Sequence, residues 1–295
     1  MFSPEGPTVR ELAVQALSCV QHGYDLLAPK FDRTPFRTPD AVLDAVGSVL
    51  ERTGPYGDGL DLCCGTGAGA GVLARVCRST VTGVDFSAGM LAVARQRHGR
   101  AGDARATDAR GAEVRVTDVR DAGGRDPDAR TPDARPPAAR PLGAPGAGTR
   151  NDRGPGPRVA WVRADARALP FRAAFDLVVS FGALGHFLPA ELPALFGQVR
   201  AVLRPGGVFA LPVFAPPPPR SRAFWALLGF DAVMRVRNAV WRPPFVMYYR
   251  AFRFGDVLRE LERAGLRTEL HALPGFGRRA DGSPRARLIV ARRLP

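Results

Sequence analysis

Residues 59–70 form an apolar run that ends in a cluster of glycines: Gly59-Leu60-Asp61-Leu62-Cys63-Cys64-Gly65-Thr66-Gly67-Ala68-Gly69-Ala70. The run predicts a buried β-strand, the glycines a tight turn, and the alanines a helix that starts there. Glycine lets the backbone approach a ligand closely, because it has no Cβ and tolerates positive φ. Asp85 lies twenty residues after Gly65, where a carboxylate can accept both hydroxyls of a ribose. These residues predict a nucleoside pocket.

Strands and helices alternate on both sides of this turn. Predicted helices are residues 8–21, 39–51, 68–76, 88–97, 189–203 and 253–264, and predicted strands are 59–63, 80–84, 159–162, 175–180, 207–214, 266–273 and 285–292. The aromatic-rich residues 24–36 are predicted to form a loop. Such alternation predicts an α/β fold with a Rossmann-like, doubly wound sheet. The sheet is expected to be mostly parallel, with an antiparallel C-terminal hairpin at its edge.

Residues 99–157 interrupt the alternation with low-complexity sequence. Arginine recurs every five residues from Arg100 to Arg140, a period that places successive side chains about 140° apart on a helix, so that no apolar stripe forms. Because large apolar residues are scarce, burial cannot offset the entropy of ordering the chain. We therefore expect a disordered insertion. Its segment Glu113-Val-Arg-Val-Thr-Asp118 resembles a strand that ends in an acid, but we prefer 159–165 for that place in the sheet.

Composition narrows the class of protein. The 295 residues carry a net charge of +14, but Lys30 is the only lysine, so the charge reflects arginine usage as much as a polyanionic partner. Nucleic acid and an anionic membrane surface remain open as partners, ranked below a small molecule. The four cysteines have no CxxC spacing, so no metal site is expected. Neither a signal peptide nor a membrane span is evident, which favours a cytoplasmic location.

A nicotinamide dehydrogenase is an alternative, because Gly65, Gly67 and Ala70 also satisfy the pattern G-x-G-x-x-G/A. Against it, Asp61 places a carboxylate just before the turn, where a cationic ligand end fits better than a pyrophosphate. A Tyr-x-x-x-Lys dyad is impossible, since no tyrosine precedes Lys30 by four residues.

The chain resembles the class I S-adenosylmethionine-dependent methyltransferases, in particular the type 11/type 25 domains, from about residue 40 to 214 outside the insertion. Five pieces in order carry the resemblance: Asp61–Gly69, Val84–Met90, Arg163–Phe171, Phe175–Ser180 and Leu203–Gly207. Cys63 stands where the family usually has its first glycine. The resemblance implies a methyltransferase domain at 53–98 and 158–295, a helical segment at 1–52 that covers the cofactor site, and a cap at about 216–252.

The resemblance also implies the cofactor and its contacts. Asp61 would orient the amino group of S-adenosylmethionine, Asp85 would hold the ribose hydroxyls, and Asp165 would accept from the adenine amine. Gly65 and Gly67 would admit the methionine and ribose portions, and Phe86 and Met90 would pack on the adenine. The remaining residues predicted at the cofactor are Cys63, Thr66, Ala166, Ser180 and Phe181.

Methyl transfer is an in-line displacement, so the enzyme chiefly aligns the reactants and excludes water. His186 is the candidate general base, because it follows the fourth strand, where the strand ends border the ligand crevice. The expected acceptor is a small, apolar or aromatic molecule methylated at O, C or N. Substrate contacts are predicted for Tyr24, Trp225, Arg237 and Tyr248.

Two other functions stay open. One is an RNA methyltransferase or RNA-binding protein that uses the basic surface, although the Asn/Asp-Pro-Pro-aromatic pattern of enzymes that act on flipped bases is missing after the fourth strand. The other is a binding module that holds the cofactor and transfers no methyl group.

Overall fold

A mixed sheet of seven strands forms the centre of the fold, in the order β5-β2-β1-β6-β7-β9-β8. The computed structural model describes residues 7–8, 20–34, 36–98, 106–107, 113–114, 156–215, 221–222, 224–225, 228–229, 232, 236, 252 and 254–295. The strands are β1 (Tyr56–Leu62), β2 (Cys77–Asp85), β3 (Ala106–Thr107), β4 (Glu113–Val114), β5 (Arg158–Arg163), β6 (Phe175–Val179), β7 (Leu203–Phe214), β8 (Leu266–Ala272) and β9 (Ala286–Arg293). Neighbours from β5 to β7 are parallel, whereas β9 runs antiparallel to both β7 and β8. The predicted parallel sheet with a C-terminal hairpin at its edge is confirmed.

Helices cover both faces of this sheet. They are α1 (Val20–Leu27), α2 (Asp40–Thr53), α3 (Ala68–Val76), α4 (Ala88–His98), α5 (Leu192–Val202) and α6 (Phe254–Arg263), with 3-10 turns at Ala28–Arg33, Leu184–His186 and Pro189–Glu191. In β6, Leu177 and Val179 join the core under α2, α3 and α4, while Val178 joins the core under α5 and α6. Because strand side chains alternate between faces, a sheet covered on both sides needs a continuous apolar run.

Most predicted bounds lie within a few residues of the observed ones, and α3 matches its prediction. The predicted loop at 24–36 is wrong, because α1 and a 3-10 turn occupy most of it. Pro39 is the N-cap of α2 and not its first residue. Most of the predicted helix at 8–21 falls outside the described residues.

Within the insertion, β3 and β4 pair antiparallel in a separate two-stranded sheet, so the strand that starts at Glu113 does not join the main sheet. β5 pairs with β2 instead, as preferred from the sequence. Most of the remaining insertion lies outside the described residues, so its disorder stays a prediction. No helix in the described ranges has the length and apolar character to cross a bilayer.

Candidate functional site

A cavity of about 980 Å³ lies where β1, β2, β5 and β6 reach their carboxyl ends, the edge at which doubly wound sheets bind ligands. Its volume is at the upper end of the range for small-molecule sites, so it has room for two small ligands at once. The predicted site residues that line it are Tyr24, Asp61, Cys63, Gly65, Thr66, Asp85, Phe86, Met90, Asp165, Ala166, Phe181 and His186.

The glycine turn packs too closely for side chains at two positions. Gly67 has φ 86° and is the N-cap of α3, and a Cβ there would lie 2.8 Å from Trp161 Cη2. A Cβ on Gly69 would lie 2.6 Å from Asp61 Oδ2 and 2.7 Å from Phe181 Cδ2. Glycine is therefore required at both positions, at the first for its φ and at the second for the close approach of Asp61.

Asp61, near the end of β1, is 1% exposed, and its Oδ2 atom has no hydrogen-bond partner among the described residues. Burial, followed by the negative charge of Asp85, raises the pKa of the Asp61 carboxyl to about 8. A buried carboxylate oxygen without a partner is costly. A cationic group in the cavity would supply both the missing hydrogen bond and the missing charge.

Asp85 joins the end of β2 to the glycine turn. The Gly65 N–H donates to Asp85 Oδ2 and the Ser87 N–H donates to Oδ1, both at 2.9 Å. Burial raises the pKa of this carboxyl as well. Each carboxylate oxygen can accept about two hydrogen bonds, so both keep capacity for a further donor, such as a ribose hydroxyl.

Two acids that were not predicted from the sequence hold the N-terminal segment against the glycine turn and the start of α4. Asp25 Oδ1 accepts from Ser87 Oγ at 2.5 Å and from the Gly89 N–H at 2.8 Å, and so caps the start of α4. Asp32 accepts from Thr66 Oγ1 at 2.7 Å and pairs with Arg97. The sequence signal that could have identified these two acids is their position in residues 24–36, a segment with more aromatic residues than a simple connector needs.

His186 also lines the cavity, in the 3-10 turn after β6. Tyr24 Oη is 3.3 Å from His186 Nε2, across 162 residues of sequence. The Tyr24 ring also meets the edge of Phe86, with ring centroids 5.8 Å apart. Tyr24 therefore connects the predicted nucleoside side of the cavity with the histidine.

Asp165 is exposed and held by Arg167. The Arg167 backbone N–H and Nε donate to Asp165 Oδ1, and Nε and Nη2 donate to Oδ2. Hydrogen bonding from Arg167 lowers the pKa of the Asp165 carboxyl. These three N–H groups use most of the carboxylate's roughly four acceptor positions, so an adenine amine would compete with Arg167 for Asp165.

Several predicted residues lie elsewhere. Gly67 and Ser180 do not line the cavity: Gly67 faces Trp161, and the Ser180 N–H donates to the Ala210 carbonyl. Trp225 lies outside the cavity lining and is 62% exposed, so the predicted substrate contact is not formed. Arg237 and Tyr248 fall outside the described residues. The lining also contains residues that we did not predict, among them Phe31, Phe36, Arg37, Thr38, Gly69 and Phe187.

Cys63 has φ 57°, in the left-handed region that costs a residue with a Cβ about 1 kcal/mol or more. We therefore expect Cys63→Gly to be more stable than Cys63→Ala by about 1 kcal/mol, a reversal of the usual order. Both variants lose the thiol, so their difference isolates the backbone. Chemical denaturation of the two variants measures it, and an alanine variant as stable as the glycine variant would contradict the expectation.

Comparison with known proteins agrees with this geometry. A family model described as a methyltransferase domain matches residues 60–122 and 146–207. An uncharacterized methyltransferase of Synechocystis sp. is 43% identical over 56 residues, which are 19% of this chain and 26% of that protein. The match thus spans about a quarter of the curated relative.

Solved structures share the fold. A SAM-dependent methyltransferase from Methanosarcina mazei has a TM-score of 0.50 at 16% identity, over 82% of this chain and 94% of that one. The 1,6-didemethyltoxoflavin-N1-methyltransferase of Burkholderia thailandensis has a TM-score of 0.51 at 18% identity, over 98% and 92%. Residues 60–122 and 146–207 of this chain therefore match a methyltransferase domain.

Proposed function

We propose that this chain transfers a methyl group from S-adenosylmethionine to a small, apolar or aromatic acceptor. The observation that carries the proposal is one cavity that brings together two chemically different groups. A buried carboxylate oxygen of Asp61, without a hydrogen-bond partner among the described residues, lies at the glycine turn, and the Tyr24–His186 pair lines the same cavity.

The donor side offers what the cofactor needs. The Asp61 carboxylate would bind the ammonium of the methionine portion, and the Asp85 oxygens would accept from the ribose hydroxyls. Phe86 lines the same side, and Met90 is buried beneath it, so both offer apolar surface to the adenine. S-adenosylmethionine supplies an activated methyl group on a sulfonium, ready for in-line transfer.

The acceptor side is mostly apolar. Phe36 and Phe187 line the cavity and would exclude water around a flat acceptor, which favours transfer over side reactions. His186 would take the proton of an ionisable acceptor, because histidine accepts a proton near neutral pH. Alignment of the two reactants in one cavity supplies the remaining rate enhancement.

Calorimetry with S-adenosylmethionine and S-adenosylhomocysteine tests the donor half, with NAD as the control ligand. We expect both sulfur nucleosides to bind at one site, and displacement by NAD would contradict the proposal.

A screen with labelled donor tests the acceptor half. It should include phenols and nitrogen heterocycles, because the 1,6-didemethyltoxoflavin-N1-methyltransferase that shares the fold was solved with bound 1,6-didemethyltoxoflavin and S-adenosylhomocysteine.

The same screen separates the competing functions. Label transferred to RNA, together with steeply salt-dependent RNA affinity, would favour an RNA methyltransferase. Donor binding without transfer to any acceptor would favour a binding module.

A further inference from the structure

An exposed apolar stripe follows β7. The described residues from 222 to 236 are helical, and five of them lie at the spacing of a single helix face: Trp225, Leu228, Gly229, Ala232 and Val236. All five are exposed, and Trp225, Leu228 and Val236 are 62%, 47% and 64% exposed. None of these five residues is polar. We name them the apolar stripe.

The charge beside the stripe identifies what it fits. Residues 220–242 contain five arginines and a single acid, Asp231. Arg222 is exposed one helical turn before Trp225. A segment with tryptophan and leucine on one helix face and a surplus of arginine in its sequence has the composition of helices that lie in the interface of an anionic bilayer.

We infer that the apolar stripe docks on an anionic lipid surface, with Trp225, Leu228 and Val236 inserted among the acyl chains. β7 is parallel to β6, so it ends at the edge of the sheet where the cavity lies, and the stripe follows that end in sequence. Docking there would bring the cavity edge towards a membrane, from which an apolar molecule could enter.

Vesicle flotation with the full chain tests this inference without an acceptor. We expect binding to vesicles that contain phosphatidylglycerol, and weak binding to vesicles of phosphatidylcholine alone. The double variant Leu228→Ser/Val236→Ser should lower the partition coefficient at least about tenfold, because two aliphatic side chains no longer enter the bilayer. Salt at about 0.5 M should also weaken binding, because it screens the arginines.

The matched control is Leu270→Ser/Leu294→Ser, which removes two leucines of similar exposure (45% and 51%), one in β8 and one directly after β9. It should bind within twofold of the parent protein. The blue shift of tryptophan emission on vesicles should disappear in Trp225→Phe. Equal binding by the stripe and control variants, or no preference for the anionic lipid, would overturn the inference. A dimer that the stripe variant converts to a monomer would overturn it too, since a second copy would then cover the stripe.

Discussion

Asp61→Asn should weaken S-adenosylmethionine binding by about a hundredfold at pH 8, because a charge-assisted hydrogen bond in a buried site is lost while the shape is kept. The Oδ2 atom of Asp61 has no partner among the described residues, so the ligand's ammonium is the group that would satisfy it. Calorimetry of parent and variant measures the loss. An unchanged affinity would remove Asp61 from the cofactor site.

The pH dependence of binding provides an independent check. The pKa of Asp61 is raised to about 8, so below that pH a proton must leave before the carboxylate can pair with a cation. Affinity should therefore rise with pH, by up to about tenfold per unit, and level off near pH 8. Above that value an α-ammonium loses its own proton, so affinity should fall again. The rising limb should be missing in Asp61→Asn, and a flat profile in the parent protein would contradict the assignment.

The stability of the ligand-free protein should move in the opposite direction. The folded-state pKa of Asp61 lies above the ordinary aspartate pKa of 3.8, so between these two pKa values the folded state holds a proton that the unfolded state has released. The contribution of this protonated carboxyl to the stability of the folded state is full at low pH and is lost as the pH rises towards 8. Asp61→Asn should therefore gain stability relative to the parent as pH rises. Asp44→Asn, a change at an exposed acid on α2, is the control and should show no such trend.

Replacement of His186 by Ala should lower turnover about a hundredfold or more on an acceptor that must lose a proton, and leave donor affinity within about twofold. The histidine lines the cavity in the 3-10 turn after β6 and is not one of the predicted donor contacts. Single-turnover kinetics with labelled donor measure the effect. His22→Ala, an exposed change on α1, is the matched control. Unchanged turnover would give His186 a structural role.

Tyr24→Phe distinguishes the role of the Tyr24–His186 pair. The variant keeps the ring that meets Phe86 and removes only the hydroxyl that lies 3.3 Å from His186 Nε2. We expect kcat to fall on an acceptor that must lose a proton while KM is retained, because that hydroxyl orients the imidazole. An unchanged kcat would indicate that Tyr24 only packs.

Local sequence was enough for the α/β sheet and for the glycine turn with Asp61 and Asp85. Alternation of short apolar runs with helical spacing is a property of neighbouring residues, and parallel strands must end at one edge. That edge is where the cavity lies, so two acids at the ends of adjacent strands were bound to come together.

The other contacts of the site were determined by packing between segments that are far apart in the sequence. The Tyr24–His186 contact spans 162 residues, and Asp25 and Asp32 reach α4 and the glycine turn from a segment predicted to be a loop. Trp225 is exposed outside the cavity. None of these contacts has a local pattern, because each depends on where a distant segment packs after the sheet has formed. Periodicity reports which face of an element is buried, whereas only the folded chain determines what it is buried against.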